Sequence, residues 1–267
     1  TLQPVSDGET LDINGVKVTF FPAGHILGSS QILLEYRGRR IVASGDYKRR
    51  RDPTCLPFEV VPCDVFITEA TFGLPVFRHP SDTTQIDKLR HTLRLYPDRC
   101  VLLGAYSLGK CQRLIRLMRE MGYDETIYLH GAMVGLCELY REFGVELGTL
   151  AAVAETVHEK EALRGKLVIC PPSAVHDRWS RRLPDPVTAM ASGWMTVRAR
   201  ARQKQVELPL VISDHADWDE LTQTIRDVGA SEIWVTHGRD DALVHYARTI
   251  GLNARPLDLR GYEEDEE

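Results

Sequence analysis

Between Cys100 and Cys170, short apolar runs alternate with helix-periodic stretches, and this restricts the chain to a small set of architectures. Cys100–Ala105 has the texture of a buried strand, Cys111–Met121 of an amphipathic helix, and Ile127–His130 of a second strand. Met133–Phe143 is again helix-periodic, and Lys166–Cys170 is a strand stopped by Pro171 and Pro172. Ser81–Leu95, polar and helix-periodic, precedes them. Parallel strands need long crossovers, usually helical, so this rhythm predicts an α/β protein with a largely parallel sheet.

The first third of the chain has a different texture. Asn14-Gly15 sits between alternating apolar residues, and Arg37-Gly38-Arg39 separates Gln31–Tyr36 from Arg40–Ser44. Both patterns predict hairpins. Between them, Pro22 and Gly24 cut a strand and leave His25 in a loop of small residues. Ile41-Val42-Ala43 opens into Ser44-Gly45-Asp46 and then a block of four cations, Lys48 to Arg51. Asp64–Thr68 forms a third apolar strand that ends at Glu69. A lone aspartate after glycine is usually a turn former, and a lone loop histidine usually satisfies a local hydrogen bond. Three successive strands that deliver His25, Asp46 and Glu69 to loops suggest a site instead, because sites on sheets are assembled at strand ends. Later, Leu208–Ile212 ends at Ser213-Asp214-His215, Asp217 and Glu220 are spaced as a helix-capping pair, and Glu232–Thr236 stops at His237. His25, Asp46, His215 and His237 therefore each follow an apolar run. Imidazole and carboxylate together suit zinc or manganese, and a carboxylate can bridge two such ions.

Composition narrows the class. The 267 residues, 43% hydrophobic and 27% charged, can bury a substantial core as one large domain or two modest ones. No apolar run approaches a bilayer span and no signal peptide heads the chain. Six scattered cysteines without a C-x-x-C pair suit reduced, mostly buried thiols and a cytoplasmic location. A net charge of −5 means that any nucleic-acid partner must be met by a local basic patch. Such a patch exists: Arg178, Arg181, Arg182, Arg198, Arg200, Arg202 and Lys204 share a stretch whose one acid is Asp185, with Trp179 and Trp194 interleaved. Cations with aromatics suit a single-stranded path of phosphates and stacked bases. The run Gly104-Ala-Tyr-Ser-Leu-Gly109-Lys110-Cys111 follows the P-loop pattern except for its final hydroxyl residue, which argues against nucleotide hydrolysis. Ser107, Gly109 and Lys110 could still hold a phosphate at a helix start, or form an ordinary cap with a solvated lysine.

The stretches PAGHILGSSQ, ASGDYK, FITEATFG, GAYSLGK, ISDHADWDEL and VTHG, spread over nearly the whole chain, resemble the metallo-β-lactamase-fold nucleases of the β-CASP group. The likeness is greatest to bacterial ligase-associated DNA exonucleases. The resemblance implies an αββα metallo-β-lactamase domain formed by residues 1–78 and 208–267, with an α/β β-CASP domain, 79–207, inserted as a lid. By the same resemblance His25 binds one metal ion, Asp46 bridges two, and His237 completes the second site. His215, oriented by Glu69, donates a proton to the leaving oxygen, while Ser107, Lys110 and the arginines 178, 181, 182, 198 and 200 contact nucleic acid. The implied activity is a metal-dependent phosphodiesterase, a DNA exonuclease in repair acting on single strands or ends beside a ligase or helicase system. The alternatives are an RNA-processing ribonuclease or a silent nucleic-acid-binding relative. The family's His-x-His-x-Asp-His run is missing from the sequence, so an N-terminal part is expected to lie outside it. Two zinc or manganese ions are then expected in the full-length protein, and one or none here.

Overall fold

The structure is a computed structural model that describes residues 3–153, 160–238 and 240–257. Arg239 and the acidic tail Glu263–Glu267 with Gly261-Tyr262 lie outside the described residues. The chain divides into two compact units, one formed by residues up to Arg51, Leu56–Phe77 and from His215 onward, the other by Asp52–Cys55 and Arg78–Asp214.

The first unit is built on a seven-stranded sheet of β1 (Thr10–Ile13), β2 (Val16–Pro22), β3 (Ser30–Tyr36), β4 (Arg39–Ala43), β5 (Val65–Ala70), β12 (Glu232–Gly238) and β13 (Asn253–Pro256), in that spatial order. Both hairpin turns form as the sequence predicts. Asn14 and Gly15 (φ 54° and 83°), then Arg37 and Gly38 (49° and 79°), occupy the left-handed region that a two-residue hairpin of matching twist demands. Strands β1 to β4 are antiparallel, whereas β4, β5, β12 and β13 are parallel. The register lines up Leu33, Val42, Phe66, Ile233 and Ala254 across five strands, all buried. Against this row pack Leu221 and Ile225 of the helix Trp218–Asp227, and Leu243, Val244 and Ala247 of the helix Asp241–Thr249. At about 1.5–3 kcal/mol per fully buried aliphatic side chain, this row is what holds β4, β5 and β12 in order.

One consequence of the pairing matters for function. Two antiparallel steps separate β2 from β4, so the two strands run the same way. The carboxyl ends of β2, β4, β5 and β12 therefore emerge on one edge of the sheet.

The second unit carries a six-stranded, wholly parallel sheet, with β6 (Val101–Gly104), β7 (Ile127–Leu129), β8 (Leu150–Ala152), β9 (Leu167–Cys170), β10 (Val187–Ala191) and β11 (Leu208–Leu210). Its spatial order is β11-β10-β6-β9-β7-β8. The flanking helices include α1 (Asp82–Leu95), α2 (Lys110–Glu120) and α3 (Gly131–Glu142), and α4 (Arg198–Gln203) follows β10. This is the α/β alternation expected, now seen as a doubly wound sheet. Three differences stand out. Residues 208–214, expected with the first unit, belong to the second, because β11 pairs with β10. Strand β10 lies inside the basic stretch, where its five residues are masked by the surrounding arginines. Strand β8, three residues long, is too short to show a period.

Candidate metal centre

The His25 loop is fixed by its small residues. Gly24 has φ +71°, and a Cβ there would stand 2.4 Å from the Lys48 carbonyl oxygen and 2.8 Å from the Phe58 nitrogen, so only glycine fits. The Ser29 hydroxyl accepts the N–H groups of His25 (3.1 Å) and Ile26 (3.2 Å), closing the turn. Asp46 follows β4 through Gly45, whose φ of +56° turns the chain out of the sheet. Its carboxylate Oδ2 lies 3.9 Å from His25 Nε2. His215 enters just before the helix α5 (Trp218–Asp227), which starts with the capping box of Asp217 and Glu220 anticipated from their spacing. The His215 ring stands 4.6 Å from that of His25 and 6.2 Å from that of Phe72.

One ligand atom from each of His25, Asp46 and His215 can be chosen so that all three lie within 4.8 Å of one another. Two imidazoles and a carboxylate are the donor set that zinc and manganese accept, and three protein ligands leave a coordination position open. The residues present thus fit a single divalent ion. His237 is absent from this convergent set. It is the penultimate residue of β12 (φ 53°), at a register shift, and is exposed. Gly238 beside it pairs with Ala70, and a Cβ there would be 2.3 Å from the Ala70 carbonyl oxygen. His237 is thus on the same edge as the cluster without joining it.

Glu69 lies within β5 rather than in a loop and is buried. Its Oε2 accepts from His215 Nδ1 at 3.0 Å, and Oε1 accepts the Tyr47 N–H at 2.8 Å. With Nδ1 committed to a carboxylate, Nε2 is the His215 atom left for a metal or a substrate. Burial opposes the Glu69 charge. The hydrogen bond and charge of His215, helped by Thr71 and the Tyr47 amide, outweigh it and hold the carboxyl below its ordinary range. Thr71 Oγ1, 3.4 Å from His215 Nδ1, is a member of this group that the sequence did not single out. Its position two residues past Glu69 is the signal that could have found it.

The nucleic-acid candidates all belong to the second unit. Arg178, Arg181, Arg182, Arg198 and Arg200 are exposed, with the Arg200 guanidinium 4.2 Å from the centre of the Trp194 ring. Ser107 is half-buried, and its carbonyl accepts from Gln112 Nε2 at 2.9 Å. Lys110 departs from both readings of its motif. It is buried, 3% exposed, and its ammonium is 2.8 Å from Asp214 Oδ1, while the helix cap is Gly109 with no side-chain bond. The cation block after Asp46 is likewise occupied, with Lys48 near Glu220, Arg49 on Asp227 and Arg50 on Asp217.

No family model matches the chain. Over 240 residues it is 30% identical to a protein of Opitutus terrae named probable DNA ligase, covering 89% of this chain and 23% of that one. It is 34% identical over 122 residues to the endoribonuclease YSH1 of Eremothecium gossypii, covering 45% of this chain and 16% of that one. With the endoribonuclease YSH1 of Saccharomyces cerevisiae the identity is 32% over 136 residues, or 50% and 17% of the two chains. The chain thus spans between 16% and 23% of the length of these relatives. A crystal structure from Enterococcus faecalis, of a protein of unknown function, superposes with a TM-score of 0.64 over 98% of this chain and 67% of that one, at 14% identity. Taken with the six motifs, these relatives place the chain in the β-CASP family of metallo-β-lactamase relatives.

Proposed function

We propose that this chain carries part of a metal-dependent phosphodiesterase that degrades nucleic acid, with DNA ends as substrate. The convergence of His25, Asp46 and His215, with Glu69 behind His215, is the observation that carries the reading. The two-sheet α/β architecture and the likeness to the named endoribonucleases support a metallo-β-lactamase domain in the first unit and a β-CASP domain in the second. The match over most of the chain to a protein named as a ligase favours DNA and a repair setting.

A divalent ion held by His25 and Asp46 would supply Lewis-acid chemistry at a phosphoryl oxygen. The chain's own contribution is proton transfer and orientation. Glu69 accepts from His215 Nδ1 and so orients the ring with Nε2 free to donate to the departing oxygen. The exposed arginines of the second unit, with Trp194, bind the phosphate backbone and stack bases. A second employment of His215, as third ligand, is favoured by its closeness to His25 and Asp46.

The test is side-by-side digestion of DNA and RNA strands by the natural full-length protein in manganese, zinc and EDTA. Metal-dependent loss of DNA is expected. Degradation of RNA alone would transfer the reading to an RNA-processing enzyme, as the named endoribonucleases suggest. Binding of nucleic acid without cleavage and without metal would mark a silent relative.

A further inference from the structure

Lys48 is 1% exposed, among the most deeply buried cations of the first unit. It lies two residues after Asp46, and its backbone and its ammonium reach segments that carry other residues of the candidate centre. Its N–H donates to the Ala23 carbonyl (3.1 Å), at the root of the His25 loop. Its ammonium donates to the His215 carbonyl (3.4 Å) and stands 3.9 Å from Glu220 Oε2. The preceding residue, Tyr47, repeats the pattern: its N–H goes to Glu69 (2.8 Å), and its carbonyl accepts the Ala216 N–H (2.6 Å). Residues 47 and 48 thus touch the three separate segments that present His25, Glu69 and His215.

A buried ion pair is weak evidence for stability, because a well-packed apolar side chain of similar volume serves as well or better. At 3.9 Å the Lys48–Glu220 pair is also loose, and the shorter contact of the ammonium is to the His215 backbone. We propose that Lys48 is a positioning residue of this centre, whose ammonium fixes the His215 backbone so that the imidazole meets His25 and Asp46 while staying on Glu69. The inference rests on the metal-centre reading for one of its three readouts.

The experiment compares the parent chain with Lys48→Met and with Lys48→Met/Glu220→Gln, which removes both buried charges. The readouts are cobalt(II) titration followed by its visible spectrum, the downfield proton resonance of His215 Nδ1–H in metal-free protein, and thermal unfolding. The double variant is expected to melt close to the parent. Both variants should bind cobalt at least tenfold more weakly with an altered spectrum, and should lose or broaden the His215 resonance. An unchanged spectrum and resonance in a folded variant overturn the proposal. So does recovery of cobalt affinity in step with melting temperature in the double variant, which would make Lys48 a charge partner of Glu220 only. Failure of both variants to fold also counts against it, since the cation would then serve folding rather than the site. Should the parent itself take up no cobalt, zinc or manganese, the metal reading fails, and the His215 resonance still decides the role of Lys48.

Discussion

Asp46 and His215 stand side by side and yet answer to different chemistry. Asp46 stands 3.9 Å from His25 and its side chain is 39% exposed, which suits the proposed ligand of a cation. His215 has a buried carboxylate at 3.0 Å on its far nitrogen, which suits the proposed proton donor. Asp46→Ala is therefore expected to empty the site of metal. His215→Ala is expected to slow cleavage by roughly two to four orders of magnitude, a general acid's usual share, and to weaken metal binding without emptying the site. Cobalt titration of both variants beside a digestion assay checks this, and unchanged metal affinity in the His215 variant would leave it a proton donor only. The charges around the site were legible as residues but not as partners. The block Lys48–Arg51 suggests a basic face, yet three of its four cations are drawn to carboxylates of α5 and its N-cap, because Glu220, Asp227 and the capping Asp217 come from a segment about 170 residues away that no local pattern links to β4.

Among the elements, α2 shows how a motif can be recognised and misjudged. Its opening resembles a phosphate loop, but its first two turns face inward, and Arg113 at 0% exposure holds Asp52 (3.0 Å) and Asp82 (2.5 Å). Burial opposes the charge on Arg113, and the two carboxylates more than offset it. Arg113→Met leaves both acids without their cation and is expected to cost about 3–5 kcal/mol, seen as a lower urea midpoint. The helix α4 presents the opposite case, since all its arginines are exposed and none is buried against the sheet. Replacing Arg198 and Arg200 by alanine should weaken single-strand binding and lower the slope of log affinity against log salt by up to about 1.4, at roughly 0.7 per phosphate contact. Fluorescence titration at several salt concentrations reads that slope, and an unchanged value would remove these arginines from the substrate path.

At the level of the whole chain, the cysteines make a prediction that no single site makes. All six are free, and five are buried. Burial pushes Cys100 and Cys170 up to about 12 and Cys63 up to about 11. Their raised values mean that the folded state keeps its protons while the unfolded state loses them. Stability is therefore full below the ordinary thiol value of about 8.5 and falls as pH rises from there toward the folded values. Urea midpoints at pH 7.5, 9 and 10 should decline, and less steeply in Cys170→Ala. No helix among the described residues is long and apolar enough to cross a membrane.

Periodicity, turn chemistry and spacing are local properties, and the sequence by itself determined what depends on them. These are the two hairpin turns, the strand–helix alternation of the second sheet, the capping box before α5, and the placement of His25, Asp46, His215 and His237 after apolar runs. Only the tertiary structure decided which of those residues meet. That choice depends on strand order and direction, which bring the carboxyl ends of β2 and β4 to one edge, and on a register shift that leaves His237 apart. Pairings between segments separated by more than a hundred residues are set by the summed fit of buried rows such as Leu33-Val42-Phe66-Ile233, and no short stretch of chain records that sum.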